Sequence, residues 1–119
     1  MVFDGHSDLL YDVTRRRMAG ERRVLERRHL DRLKKGGVEG LVLAVWTSSG
    51  ADTFWKSYPG TETALARTEL MMRCARIEFM EAPWLEVVRT AAGAERALEN
   101  GKMYVFLAIE GMEAIGGDL

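Results

Sequence analysis

The fold is decided by the stretch Lys102-Met103-Tyr104-Val105-Phe106-Leu107-Ala108-Ile109. After its first residue the stretch is apolar without alternation, which is typical of a β-strand buried on both faces of a parallel sheet. A second run of the same kind is Leu41-Val42-Leu43-Ala44-Val45-Trp46. The two runs indicate an α/β fold with a parallel sheet at its centre.

The segments around these runs alternate between strand and helix patterns. An opening strand is followed by a short helix over residues 29–35, which Gly36 and Gly37 stop. A longer helix begins at a capping Thr61 or Thr63, runs to about residue 81 and ends before Pro83. Residues 84–90 read as a third strand and residues 91–100 as a further helix. The order β-α-β-α-β-α-β results.

The longer helix carries two apolar stripes, which suit a helix wedged between a sheet and its neighbours. The stripes are Leu65, Met72, Ala75 and Phe79 on one face, and Leu70, Cys74 and Ile77 on another.

Length and composition describe an ordinary globular domain. The 119 residues predict one domain, and the formal net charge of −1 gives no support for nucleic acid or an anionic membrane as a partner of the whole chain. The single cysteine, Cys74, excludes an internal disulfide and is expected to be a buried, inert thiol. No apolar run is long enough to span a membrane and no signal-peptide pattern is present, so we expect a cytoplasmic location.

Residues 14–35 hold ten Lys or Arg against three acidic residues and therefore net +7. An anion-binding patch is one interpretation. A solvated face that pairs with acidic neighbours is favoured, because no aromatic residues are interleaved and the rest of the chain carries −8. His29 has no partner at ligand spacing, so we expect its side chain to face solvent.

Residues that can bind a metal follow two of the predicted strands. His6 and Asp8 lie two residues apart near the end of the first strand, where alternation would project both side chains from one face. On spacing alone, a surface histidine beside a turn-forming aspartate is the favoured interpretation. Glu110 follows the last strand, and the carboxyl ends of barrel strands converge on one face. This convergence gives weight to a metal site.

Residues 47–61 form a long predicted loop that contains Phe54, Trp55 and Tyr58. Such a loop follows a strand at the carboxyl edge of the sheet, where ligands bind. The aromatic side chains could form the floor of a substrate pocket or anchor the loop to the rest of the protein, and both interpretations stay open.

The sequence resembles the membrane (renal) dipeptidase family, zinc peptidases of the amidohydrolase-like barrels. The resemblance rests on residues 4–8 (Asp-Gly-His-Ser-Asp), on residues 30–38 before the second strand, and on Gly101-Lys102 leading through the last strand to Ile109-Glu110-Gly111. It implies a (β/α)8 TIM-type barrel with two zinc ions, in which His6 and Asp8 bind one ion and Glu110 bridges both. A metal-bridging hydroxide would then hydrolyse a dipeptide substrate.

The sequence departs from the family pattern in two places. Trp46 stands where the family usually has a tyrosine, which affects a substrate contact. Met112-Glu113-Ala114 replaces a Gly-His-Ser-like run and alters the loop after Glu110.

The length of the chain limits what the resemblance implies. A barrel of this type needs about 250 residues, so residues 1–119 are expected to be a truncated N-terminal half that is inactive alone. The alternative is a non-catalytic α/β interaction module. In either case the last strand would have one unpaired edge, which predicts a homo-oligomer formed through that edge.

Overall fold

The computed structural model describes residues 1–47 and 53–115, without the side chains of Thr53 and Ile115. The strands are β1 (Val2–Ser7), β2 (Val38–Val45), β3 (Leu85–Val87) and β4 (Met103–Ile109). The helices are α1 (Leu9–Met18), α2 (Asp31–Lys35), α3 (Thr53–Lys56), α4 (Ala64–Met80) and α5 (Ala91–Glu99). A π-helical segment, Leu25–Leu30, leads into α2, and a 3-10 turn, Glu113–Ile115, follows β4.

The four strands form one parallel sheet in the order β1-β2-β4-β3, which confirms the predicted α/β class. The prediction that β4 has an unpaired edge was wrong for the first half of this strand. There β3 pairs with Met103–Val105, so β4 lies between two strands and the outer strands are β1 and β3. The homo-oligomer stays a prediction.

Reversal of the strand order places α5 on the face of the sheet opposite to α1 and α4. Parallel crossovers are right-handed, so a chain that steps back from β3 to β4 must cross the other face. Met103 and Val105 pack in the core that contains α1 and α4 residues, whereas Tyr104 and Phe106 pack against Ala94 and Ala97 of α5. Neighbouring residues of a strand face opposite sides, so the two helix layers cover opposite faces.

The main core lies between β2, β4 and the helices α1 and α4. Its fully buried members include Leu10 and Val13 of α1, Leu41 and Leu43 of β2, and Met71 of α4. Each such side chain contributes about 1.5–3 kcal/mol through removal of apolar surface from water. This core fixes β2 and β4 with respect to one another, and Leu10 ties the start of α1, the helix that follows β1, to them.

Helix α4 begins as predicted, because the Thr63 hydroxyl accepts a hydrogen bond from the Ala66 backbone N–H at 3.1 Å. The prediction of two apolar stripes was wrong for Leu65 and Ile77, which are 50% and 40% exposed. The other five predicted residues are buried or packed against the core: Leu70, Met72, Cys74, Ala75 and Phe79. The fully buried residues of the helix form one stripe, and that stripe includes polar side chains. It consists of Arg67, Thr68, Met71, Cys74, Ala75 and Glu78.

Two shorter elements differ from prediction in length. The predicted helix over residues 29–35 is preceded by the π-helical segment from Leu25, and the predicted strand over residues 84–90 is reduced to Leu85–Val87. Cys74 is buried as expected, and burial raises the pKa of its thiol. Among the described residues no helix has the length and apolar character needed to cross a membrane.

A buried ion-pair junction, made by Arg17, Glu78 and Glu81, joins the end of α1 to the end of α4. One guanidinium nitrogen of Arg17 lies 2.7 Å from Glu78 Oε2, and another lies 3.2 Å from Glu81 Oε1. The second oxygen of Glu78 accepts the backbone N–H of Leu25 at 2.6 Å. The junction therefore holds both helices and the start of the π-helical segment.

Other arginines of residues 14–35 also pair with acidic neighbours, as expected for a solvated face. Arg15 and Arg16 donate to Asp12, and Arg28 donates to Glu21. The prediction that His29 faces solvent was wrong. Its side chain is only 11% exposed, and its Nε2 lies 2.8 Å from Asp12 Oδ2, because the π-helical segment packs beside α1.

Candidate metal centre

Three potential ligands meet at the carboxyl edge of the sheet. His6 lies in β1, Asp8 follows that strand, and Glu110 follows β4. Strand β2 separates β1 from β4, and the Glu110 backbone N–H donates to the Val45 carbonyl at 3.0 Å. This bond continues the β2–β4 ladder by one residue and so fixes where Glu110 leaves the sheet.

The three side chains form a compact cluster. His6 Nε2 lies 3.3 Å from Asp8 Oδ1 and 3.2 Å from Glu110 Oε2. One ligand atom from each residue lies within 4.8 Å of the others. The side chains are 53%, 59% and 45% exposed, in the order His6, Asp8 and Glu110, so the cluster is open to solvent.

Asp8 lies close to His6, but not because both side chains project from one face of a strand, as the sequence predicted. Asp8 lies beyond β1, at the N-cap position of α1, with φ −93° and ψ 20°. Its carboxylate makes no capping bond, and the Ser7 hydroxyl accepts the Leu9 N–H at 3.4 Å instead. The turn into α1 therefore brings the Asp8 carboxylate to His6 and leaves it available for a ligand.

The donor set fits a divalent metal ion of the zinc type. Imidazole nitrogen and carboxylate oxygen are both zinc ligands. One imidazole nitrogen lies within 3.3 Å of both carboxylates, so two acidic groups share one basic group. A carboxylate also has two oxygens and can contact two cations, whereas one imidazole nitrogen binds a single ion.

The aromatic substrate-pocket candidates lie in two places. Trp46 follows β2, between the two strands that carry the ligands, and is 37% exposed. Phe54, Trp55 and Tyr58 cluster around α3, with ring centroids 4.9 Å apart for Phe54–Trp55 and 5.0 Å apart for Phe54–Tyr58. Residues 48–52 of the predicted loop lie outside the described residues.

The cluster around α3 packs against Tyr11 of α1, whose ring centroid is 5.9 Å from that of Phe54. Trp55 is 4% exposed and belongs to the main core. These contacts favour a role in pinning the loop to the body of the protein. Trp55 and Tyr58 also line a surface pocket of about 430 Å³ together with Arg67.

Sequence reasoning missed two residues that shape this region. Arg67 is 6% exposed and donates to the carbonyls of Thr61 and Glu62. No pattern in the sequence marks a buried arginine on a helix. Asp4 accepts the backbone N–H of His6 at 3.1 Å, and the Asp4-Gly5 pair was a usable turn signal for it.

Comparison with known proteins gives a consistent result. The family described as membrane dipeptidase (peptidase family M19) matches residues 1–119. A solved structure described as dipeptidase AC, a metallopeptidase of family M19, is similar in fold, with a TM-score of 0.69 and 23% sequence identity. The match covers 95% of this chain and 37% of that chain. No curated protein sequence matches significantly.

Proposed function

The chain belongs to the M19 family of membrane dipeptidases, which are metallopeptidases, and from this premise we propose that His6, Asp8 and Glu110 are metal ligands of a dipeptidase site. The observation that carries the proposal is the convergence of the three side chains within 4.8 Å at the carboxyl edge of a parallel sheet. This edge is where enzymes of the barrel fold place their active sites.

Zinc is the proposed metal. His6 and Asp8 would bind one ion, and Glu110 would contact that ion and a second one through its two carboxylate oxygens. A bound divalent ion supplies Lewis-acid polarisation of a peptide carbonyl and lowers the pKa of water.

The surrounding residues would orient the substrate. Trp46 directly follows β2, the strand between β1 and β4, and is partly exposed, so we propose that its indole contacts the dipeptide. The rings around α3 are mostly committed to packing, which makes Phe54, Trp55 and Tyr58 weaker candidates for substrate contact.

A complete site needs more ligands than these three. The chain spans 37% of the dipeptidase chain it matches and contains two histidines, of which His29 is engaged with Asp12. We therefore propose that residues 1–119 form a single folded unit that supplies part of the site, and that the remaining ligands come from other parts of a complete barrel.

Metal titration tests the assignment of ligands. Because three ligands form only part of the site, we expect the purified chain to bind Zn²⁺, or Co²⁺ as a spectroscopic probe, only weakly, and His6→Ala and Glu110→Gln to abolish this binding. His29→Gln is the matched control, because it removes the other histidine away from the cluster. Equal binding by the His6→Ala variant and the unmodified chain would rule out the proposed site.

An activity assay tests the claim that the site is incomplete. We expect the 119-residue chain, loaded with Zn²⁺, to leave a dipeptide such as Ala-Ala intact. Hydrolysis of this dipeptide that chelation abolishes would show that the chain alone holds a working site.

A further inference from the structure

Strand β1 is irregular next to the proposed ligands. Asp4 pairs with Leu41 and Ser7 pairs with Leu43, so β1 advances three residues where β2 advances two. The extra residue lies within Gly5-His6 and forms a β-bulge. Bulges redirect the side chains near them and are frequent beside active sites.

The bulge leaves a backbone donor to be satisfied, and Asp4 satisfies it. Asp4 Oδ1 accepts the backbone N–H of His6 at 3.1 Å. This is a local side-chain to backbone bond of the kind with which aspartate stabilises turns. It closes a short ring between Asp4 and His6 and restricts the conformations of the bulge.

We infer that Asp4 is a positioning residue for the metal centre: its hydrogen bond to the His6 backbone sets the bulge that aims the imidazole at Asp8 and Glu110. Asp4 does not belong to the cluster of three potential ligands. It is partly buried beside His6, whose Nε2 lies 3.2 Å from Glu110 Oε2 on a different strand.

The inference rests on the proposed metal site and adds a residue to it. Residues that orient metal ligands commonly change metal affinity by about 10–100-fold when they are replaced. The hydrogen bond needs an acceptor oxygen and not a charge, so Asp4→Asn keeps the bond and Asp4→Ala removes it. Asp31→Ala is the control for loss of one negative charge, because Asp31 is exposed and pairs only with Lys35 among the described residues.

The first measurement is Zn²⁺ affinity by calorimetry, together with the thermal unfolding midpoint of each metal-free variant. We expect Asp4→Ala to bind about 10–100-fold more weakly, with Asp4→Asn and Asp31→Ala close to the unmodified chain and all midpoints similar. Unchanged affinity in Asp4→Ala would overturn the inference. Equal weakening in Asp4→Asn would also overturn it, because charge would then be the cause.

The second measurement needs no metal and separates this inference from the proposed function. In the metal-free chain, NMR contacts between the His6 ring and the Glu110 side chain should persist in Asp4→Asn and disappear in Asp4→Ala. Contacts that persist in both variants refute the inference. Failure of the unmodified chain to bind Zn²⁺ refutes the proposed function and leaves this measurement to decide the role of Asp4. Should Asp4→Ala fail to fold, loss of the contacts in Asp4→Asn overturns the inference and their retention supports it.

Discussion

Two clusters in this chain each contain a pair of carboxylates, and the clusters differ in the groups that neutralise the carboxylate charge. At the buried ion-pair junction, Glu78 is 1% exposed and Arg17 is 11% exposed, and both oxygens of Glu78 have donors. At the proposed metal centre, two carboxylates share one imidazole and all three side chains are about half exposed.

The difference in burial and pairing distinguishes charged groups that stabilise the fold from charged groups that are proposed to bind a ligand. Burial disfavours the charged form of Arg17, yet its hydrogen bonds to Glu81 and Glu78 outweigh this and raise its pKa. The junction is complete without any added ion. The proposed metal centre keeps its carboxylates open to solvent, and among the described residues their ion-pair partner is the imidazole of His6. This arrangement suits a site that a metal ion completes.

Among the proposed substitutions, those at the buried ion-pair junction should have the largest effect on the free energy of unfolding. Glu78→Ala removes a buried partner of Arg17 and leaves the Leu25 N–H without its acceptor, so we expect a loss of about 3–5 kcal/mol in the free energy of unfolding. Glu81→Ala is the matched control and should cost less, because Glu81 is 25% exposed and Glu78 remains. Urea denaturation measures both, and equal losses would contradict the ranking.

Asp12 is more exposed than Glu78 and less exposed than the proposed metal ligands. Its contribution to the free energy of unfolding should depend on pH. Its burial raises the pKa, but hydrogen bonds from His29, Arg15 and Arg16 outweigh this and lower the pKa to about 2. The folded pKa is below the ordinary value of 3.8, so the stabilisation is complete above pH 4 and is lost as the pH falls toward 2. The shift corresponds to about 2 kcal/mol.

Asp12→Asn tests this expectation. The variant should be less stable than the unmodified chain at pH 6, and the gap should narrow as the pH falls below 4. Urea denaturation at several pH values provides the comparison. A gap that stays constant between pH 6 and pH 3 would show that ionisation of Asp12 is not its source.

Substitutions at the proposed metal centre should have the smallest effect on the stability of the metal-free chain. His6→Ala and Glu110→Gln alter exposed side chains, so we expect no measurable change in the urea midpoint. Added Zn²⁺ should raise the midpoint of the unmodified chain and not those of the variants, because only a bound ion stabilises the folded state. Destabilisation of the metal-free variants would mean that the cluster serves the fold, as the junction does.

The sequence predicted the features that depend on local pattern. The apolar runs identified β2 and β4, and Thr63 marked the start of α4 because its hydroxyl caps the helix. The meeting of His6, Asp8 and Glu110 followed from the rule that parallel strands end on one edge. Their roles as ligands stay a proposal.

The features that the sequence did not predict depend on contacts between distant segments. The position of β4 beside β2 rests on pairings such as Gly40 with Tyr104, and no short-range pattern encodes them. The burial of His29 depends on packing of the π-helical segment beside α1. Glu78 of α4 is buried as a charged group because Arg17 of another helix pairs with it.

The central place of β4 has a consequence for how the chain assembles. Strand β2 cannot pair with β4 until the ribosome has added some sixty further residues, since residue 40 pairs with residue 104. Closing so long a loop is slow compared with forming local helices. During synthesis, the β1–β2 pair therefore carries an open apolar edge until Ile109 emerges, and this interval is when the nascent chain most needs protection from aggregation.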